Sequence, residues 1–457
     1  MNIQFIGAVG TVTGSKYLLS FGSQKILVDC GLFQGLKELR LRNWAPLPFK
    51  PSDVRYVLLT HAHIDHTGYI PLLVKNGFRG KIYCSYGTAE LCKILLPDSG
   101  YLQEEDANFA SKHGFSKHAP ALPLYTIKDA EESLKYFHPL DFDHVVDLGK
   151  EVTFTLLPAG HILGASMIKI RDGKTTLLFS GDLGRPKDII MNPPKIVEEI
   201  DFLILESTYG DRLHNALDPK EELAKVINRT AGRGGVIIIP AFAVGRAQSV
   251  LYLIYQLKNE KGIPDIPVYL DSPMARDATD LYCDFGNEHR LSEPKCLSMC
   301  KEAKIINTPD ESKELDFKQT PKIIVTASGM ATGGRVVHHL KAFISDERNT
   351  VLFIGFQAAG TRGEALVHKV EKIKLHGEYY PVRAEVVLQD SLSAHADYKE
   401  ILEWLAHFKH APKEVFLTHG EPAQAEALCL KIKKTFGWHC RIPKYLENVN
   451  LSTSKEV

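Results

Sequence analysis

The sequence predicts an α/β protein of two or more domains, and three observations carry that prediction. The chain's 457 residues exceed the length at which one hydrophobic core keeps growing. The first two hundred residues read mainly as short apolar strands, whereas from about Asp211 strands alternate with helices.

In the first part, strands are expected at 3–6, 17–20, 26–28, 56–60, 153–157, 166–170, 176–179 and 202–205, several of them separated by turn signals such as Asp172-Gly173. One helix is expected over 65–77, where DHTGYIPLLVKNG carries an apolar stripe and stops at Gly77, and residues 88–115 also read as helical. The alternating part has helices at 221–230, 247–259 and 336–345 and strands at 236–240, 268–271, 323–328 and 351–355, a pattern that predicts a parallel sheet covered by helices. After about His376 come strand 385–388, helix 398–407, strand 414–418 and helix 423–436. No repeat, heptad seam or low-complexity tract is evident.

Composition excludes more than it assigns. At 44% apolar and 24% charged residues the chain lies in the folded range. Lys plus Arg equal Asp plus Glu at 55 each, so attraction to a polyanion must come from a local patch. The chain opens in strand-like MNIQFIGAVG without a basic-then-apolar leader, and no stretch approaches the ~20 apolar residues that span a bilayer. The expectation is a cytoplasmic protein with no membrane partner. Eight cysteines, at 30, 84, 92, 283, 296, 300, 429 and 440, lack zinc-ribbon spacing and are expected to be reduced, mostly core residues. Cys296 and Cys300 have a spacing able to hold a metal, but no second pair accompanies them, so the core reading is preferred.

The sharpest local signal is the apolar run 57–60 leading into His61-Ala62-His63-Ile64-Asp65-His66. Four potential ligands lie within six residues. On an extended segment His61 and His63 share a face, while Asp65 and His66 enter the following helix and turn to a neighbouring direction, so one segment can serve two adjacent metals. Imidazoles and carboxylates without thiolate suit zinc or manganese. Asp29 in LVDCG, His161 in PAGHILGAS and Asp182 in FSGDLG each follow a strand, as do Glu206 in LESTYGDR and His419 in LTHGE, and His395 lies in LSAHADY. Open sheets place ligands at such strand ends.

These motifs resemble the metallo-β-lactamase superfamily, and Glu206, His395 and His419 match the three motifs of its β-CASP family, the branch that processes nucleic acids. PAFAVGRAQ at 240–248, SGMATGGR at 328–335 and GFQAAGTRG at 355–363 extend the resemblance to stand-alone bacterial and archaeal ribonucleases related to the cleavage and polyadenylation endonuclease. The resemblance implies a four-layer αββα metallo-β-lactamase fold in two parts, 1–210 and 377–457, with an inserted α/β β-CASP domain at 211–376 carrying a mainly parallel sheet. It implies that His61, His63 and His161 bind one zinc ion, that Asp65, His66 and His419 bind a second, that Asp182 bridges them and that Asp29 supports the ligands from behind. His395 would protonate the leaving oxygen or hold the scissile phosphate, oriented by Glu206. Asp65, Glu206 and His395 are the catalytic candidates. RNA-cutting members carry histidine at the position of His419, whereas a DNA-repair branch carries valine.

The expected activity is hydrolysis of single-stranded RNA, mainly as an endonuclease, with 5′-to-3′ exonuclease as the family's other mode. Water attack through two metals leaves a 5′-phosphate and a 3′-hydroxyl. Two glycine-rich loops with Ser328, Gly329, Gly333, Gly334 and Arg335, and with Gly360, Thr361 and Arg362, follow strands and precede helices, the arrangement in which backbone N–H groups cradle phosphate; Arg246 is a further candidate. Phe242, Phe356 and Tyr209 serve base stacking and core filling equally well. His113 and His118 lie outside the signature and read as solvent-facing. Two zinc ions, with manganese as the substitute, and a homodimer follow from the resemblance, and no nucleotide cofactor is expected. Two other readings stand beside this one: a DNA or small-phosphodiester hydrolase on the same metals, and an inactive RNA-binding scaffold.

Overall fold

The computed structural model describes residues 1–114, 120–173, 175–215 and 217–451, so His118 lies outside the described residues. The chain forms two compact units, Met1–Leu213 with His395–Val457, and His214–Ala394.

The first unit holds two seven-stranded sheets. One runs in the order Asn448–Asn450, Asn2–Phe5, Tyr17–Phe21, Gln24–Val28, Val54–Leu58, Lys81–Ser85 and Phe137–Leu140. The other runs Cys440–Arg441, Glu414–Thr418, Phe202–Glu206, Thr175–Phe179, Ser166–Asp172, Val152–Pro158 and Val145–Asp147. Alternate residues of both sheets meet in one core: Ile3, Phe5, Leu19, Ile26 and Val28 from the first, and Phe154, Leu156, Ile168, Ile170, Leu177, Phe179 and Ile204 from the second. The intervening residues, among them Leu18, Leu27, Val57, Met167, Leu178 and Leu203, are buried as well. Both faces of each sheet are therefore covered, with helix Tyr86–His113 against Lys81–Ser85 and helix Pro422–Phe436 against Glu414–Thr418. The result is the expected αββα layering.

Strand direction positions the site. Gln24–Val28 and Val54–Leu58 run parallel, as do Thr175–Phe179, Phe202–Glu206 and Glu414–Thr418. Two successive antiparallel pairings bring Val152–Pro158 back into the same direction as Thr175–Phe179. Within each sheet, the C-terminal ends of these strands thus lie at one edge.

The second unit carries a six-stranded sheet, ordered Lys304–Ile305, Val268–Asp271, Lys322–Thr326, Val236–Pro240, Thr350–Ile354 and Glu385–Gln389, with every pairing parallel. The alternating pattern predicted this sheet. Its apolar strands, such as Val236–Pro240 and Thr350–Ile354, are buried along their whole length.

Three details differ from the sequence reading. The return to the first unit falls at His395 rather than at 377, because Glu385–Gln389 pairs with Thr350–Ile354 as an edge strand of the insert's sheet. The helix expected over 65–77 is two short helices, Ile64–Thr67 and Ile70–Lys75. Pro71 has no N–H to donate to a preceding turn and sits instead in the first turn of the second helix. Strands Lys81–Ser85 and Phe137–Leu140 and helices Pro273–Asp284, Glu293–Lys301 and Pro309–Phe317 are not among the elements expected from the sequence, although Pro273–Asp284 buries Ala275, Ala278, Thr279 and Tyr282 at helical spacing. Among the described residues no helix is long and apolar enough to cross a membrane.

Phe179 is 1% exposed and lies between the two sheets. Phe179→Ala is expected to lower the unfolding free energy of the first unit by about 3–5 kcal/mol, whereas Phe179→Leu costs less, as read from urea denaturation.

Candidate metal centre

Each centre residue leaves a strand end by a local conformation that the sequence dictates. Asp29 and His419, the first residues past Gln24–Val28 and Glu414–Thr418, adopt left-handed backbones with φ of 55° and 48°. For non-glycine residues this costs about 1–3 kcal/mol each, strain that tends to collect where side chains must be aimed. Gly31 makes a close approach possible: a Cβ there would sit 1.6 Å from the carbonyl oxygen of Asp65, so only glycine lets the Asp29 loop lie against the His61–His66 segment.

Asp29 accepts the Thr60 N–H at 2.8 Å and the Thr60 hydroxyl at 2.9 Å, and its Oδ2 lies 2.8 Å from His66 Nδ1. Thr60 Oγ1 lies 3.0 Å from His61 Nδ1. This network assigns the Nδ1 proton to both rings and turns the Nε2 lone pairs of His61 and His66 inward. His61 Nε2 lies 3.1 Å from His63 Nδ1, which lies 3.3 Å from His161 Nε2.

Asp182 divides the cluster. Its Oδ2 lies 3.3 Å from His61 Nε2 and 3.5 Å from His161 Nε2, while its Oδ1 lies 3.3 Å from His66 Nε2 and 3.5 Å from His419 Nδ1. His419 Nε2 is 3.2 Å from Asp65 Oδ2. Ligand atoms of His61, His63, His161 and Asp182 lie within 4.8 Å of one another, and so, separately, do those of Asp65, His66 and His419. The two groups expected from the sequence are brought together, with Asp182 facing both.

Electrostatics suit cations. Burial pushes His61 down to about 3 and His63 to about 4, and holds His161 well below the usual imidazole range, so all three present lone pairs at neutral pH. Burial opposes ionisation of Asp65 and Asp182, but the surrounding histidines reverse this and keep both carboxyls far below the usual range. Burial likewise opposes charge on His66, yet Asp182, Asp29 and Asp65 raise it well above an ordinary imidazole. The fit to a metal is tested by Asp182 itself: its Oδ1 is buried and has no hydrogen-bond donor. Such an oxygen is costly unless a cation satisfies it. The imidazole and carboxylate donors here are those that divalent metals take.

Beside this cluster Glu206 and His395 form a dyad. His395 Nδ1 lies 3.1 Å from both Glu206 carboxylate oxygens, and the Leu183 N–H fixes Oε1 at 2.5 Å. Burial opposes protonation of His395, but Glu206, together with Asp182 and Asp65, offsets it and pushes the imidazole up to about 9. The His395 ring lies 4.6 Å from that of His161.

The insert's candidates lie in the second unit and are held there internally. Arg335 pairs with Asp271 at 2.6 Å and donates to the carbonyls of Ile306 and Asn307. Arg362 donates to the carbonyls of Lys374, Ala331 and Thr332, and buried Arg246 to that of Leu392. Ser328 bonds to Thr332, Gly333 and Gly334 precede helix Arg335–Phe343, and Thr361 caps helix Arg362–Val367 just after Gly360. Gly329 is backed by Phe242, which is half-buried like Phe356, whereas Tyr209 is buried against His395. Sequence reasoning missed Thr60, Thr208, which lies 3.1 Å from His419 Nδ1, and Ser15, which lies 3.3 Å from His66 Nε2. Thr60 and Thr208 adjoin the motifs and carried that signal; Ser15 had none.

Comparison with known proteins agrees with this geometry. The Metallo-beta-lactamase superfamily model matches residues 9–226, the Beta-Casp domain 247–366 and the Zn-dependent metallo-hydrolase RNA specificity domain 379–443. Ribonuclease TTHA0252 of Thermus thermophilus is 34% identical over 94% of this chain and 95% of its own length. Transcription termination factor FttA of Methanosarcina mazei is 31% identical over 99% of this chain and 72% of its own, and FttA of Pyrococcus abyssi 32% over 99% and 71%. A crystal structure of a protein of unknown function from Enterococcus faecalis V583 has the same fold, with a TM-score of 0.53 at 15% identity over 98% of this chain and 99% of that one. On these matches the chain belongs to the β-CASP family of the metallo-β-lactamase superfamily.

Proposed function

We propose that the protein is a zinc-dependent ribonuclease that hydrolyses phosphodiester bonds of single-stranded RNA, chiefly as an endonuclease. The observation that carries this reading is the division of Asp182, one oxygen toward His61 and His161 and the other toward His66 and His419. His61, His63 and His161 would hold one ion and Asp65, His66 and His419 the other, with Asp182 available to both. When bound, the pair of ions supplies a water activated at neutral pH and Lewis acidity at the phosphate oxygens.

The chain's own groups do the rest. Asp29 and Thr60 hold His61 and His66 in the ligating tautomer. His395 is protonated at neutral pH and carries the proton that the departing 3′-oxygen needs; Glu206 holds Nδ1, so transfer runs through Nε2. This chemistry needs no ribose 2′-hydroxyl as nucleophile. In the insert, the backbone N–H groups of the loops at 328–334 and 355–361 are the proposed phosphate contacts, because Arg246, Arg335 and Arg362 are committed to internal carbonyls and Asp271.

RNA and DNA of identical sequence, labelled at either end, test the substrate. The expected outcome is RNA cleavage leaving 5′-phosphate and 3′-hydroxyl ends, with cutting retained when the scissile nucleotide alone is 2′-deoxy. Cyclic phosphate ends, or equal cutting of DNA, would refute the reading.

Elemental analysis with single-turnover assays tests the roles. At the histidine and aspartate centre wild type is expected to retain about two ions, Asp182→Ala neither, and His161→Ala only one. His395→Ala keeps both but cleaves roughly 10²–10⁴-fold more slowly, the range for loss of a general acid.

A further inference from the structure

Away from the histidine centre, three cysteines converge within the second unit. Cys283 lies near the end of helix Pro273–Asp284, and Cys296 and Cys300 lie on helix Glu293–Lys301. Their four-residue spacing puts the latter two on one helix face. Cys283 Sγ is 2.9 Å from Cys296 Sγ and 3.4 Å from Cys300 Sγ, and all three sulfurs lie within 4.8 Å of one another. Cys296 is buried, while the other two are half-buried.

The connection between the helices is fixed independently of the thiols. His289 Nε2 donates to the Tyr282 carbonyl at 2.6 Å, its Nδ1 accepts the Leu291 N–H at 3.2 Å, and its ring stacks on Tyr282 at 5.8 Å. The sulfurs are thus held together by the fold around them.

We infer that Cys283, Cys296 and Cys300 form a binding site for one thiophilic divalent cation, zinc by preference, separate from the histidine and aspartate centre. Zinc–thiolate bonds of ~2.3 Å in tetrahedral geometry separate the sulfurs by roughly 3.7 Å. The observed triangle reaches that by sub-ångström side-chain shifts. The exposed Asp280, one helical turn before Cys283, adds negative potential at the sulfurs. Zinc binding releases the thiol protons without any change in oxidation state, so affinity rises with pH.

Cobalt(II) titration of the reduced, full-length protein tests the site, because a thiolate-to-cobalt charge-transfer band cannot arise from imidazole and carboxylate ligands. The expected result is a thiolate-to-cobalt band that saturates, with the intensity of one cobalt ion per chain, and is bleached by added zinc. Cys283→Ser, Cys296→Ser and Cys300→Ser each lose the band and one zinc ion per chain, with RNA cleavage unchanged. Absence of the band in fully reduced wild type overturns the inference. So does a reduced protein that converts two of these thiols to a disulfide in air at the same rate with or without zinc. Both readings use the wild type and do not depend on the variants folding.

Discussion

The structure of the first unit depends on one buried carboxylate. Asp182 is 2% exposed, has an oxygen without a donor and is ringed by His61, His161, His66 and His419 from three other strand ends. Several kcal/mol of desolvation would weigh against such a group if it stood alone. Cations bound there would turn the same arrangement from a liability into a stabilising one, since the carboxylate oxygens would then have partners of opposite charge. The surrounding architecture serves that end: parallel strands bring their C-terminal ends to one edge, and the left-handed residues Asp29 and His419 re-aim the chain there.

Polar groups behind the ligands fix what the ligands cannot fix themselves. Asp29 takes donors from Thr60 and His66 together, and Thr60 passes the constraint on to His61. The Glu206 and His395 pair repeats the device, with the Leu183 N–H anchoring the carboxylate. Neighbouring histidines thereby acquire opposite properties. Burial strips His61 and His63 of their protons, whereas neighbouring carboxylates, Glu206 foremost, keep His395 charged, so neutral and charged imidazoles stand side by side.

Much of this centre was legible in the sequence because its parts carry local signals. The His61–His66 segment is contiguous, and Asp29, Asp182, Glu206 and His419 each follow or close an apolar strand of recognisable period. What was not legible depends on long-range pairing. Strand Glu385–Gln389 looks like a piece of the first unit until its pairing with Thr350–Ile354 assigns it to the insert. Pro71 breaks a stripe that periodicity alone reads as one helix. Cys283 stands thirteen residues before Cys296 on a separate helix, so its approach to Cys296 and Cys300 emerges only when the two helices pack together. The loop arginines were read by residue type, but their hydrogen bonds to carbonyls are set by neighbours distant in the sequence.

The most direct measurement of the central claim is anomalous diffraction at the zinc edge from crystals of the protein grown with zinc. Within the histidine centre the account predicts two peaks about 3.5–4 Å apart on opposite sides of the Asp182 carboxylate, one among His61, His63 and His161 and the other among Asp65, His66 and His419. A single peak there, or two that leave Asp182 uncoordinated, would contradict it.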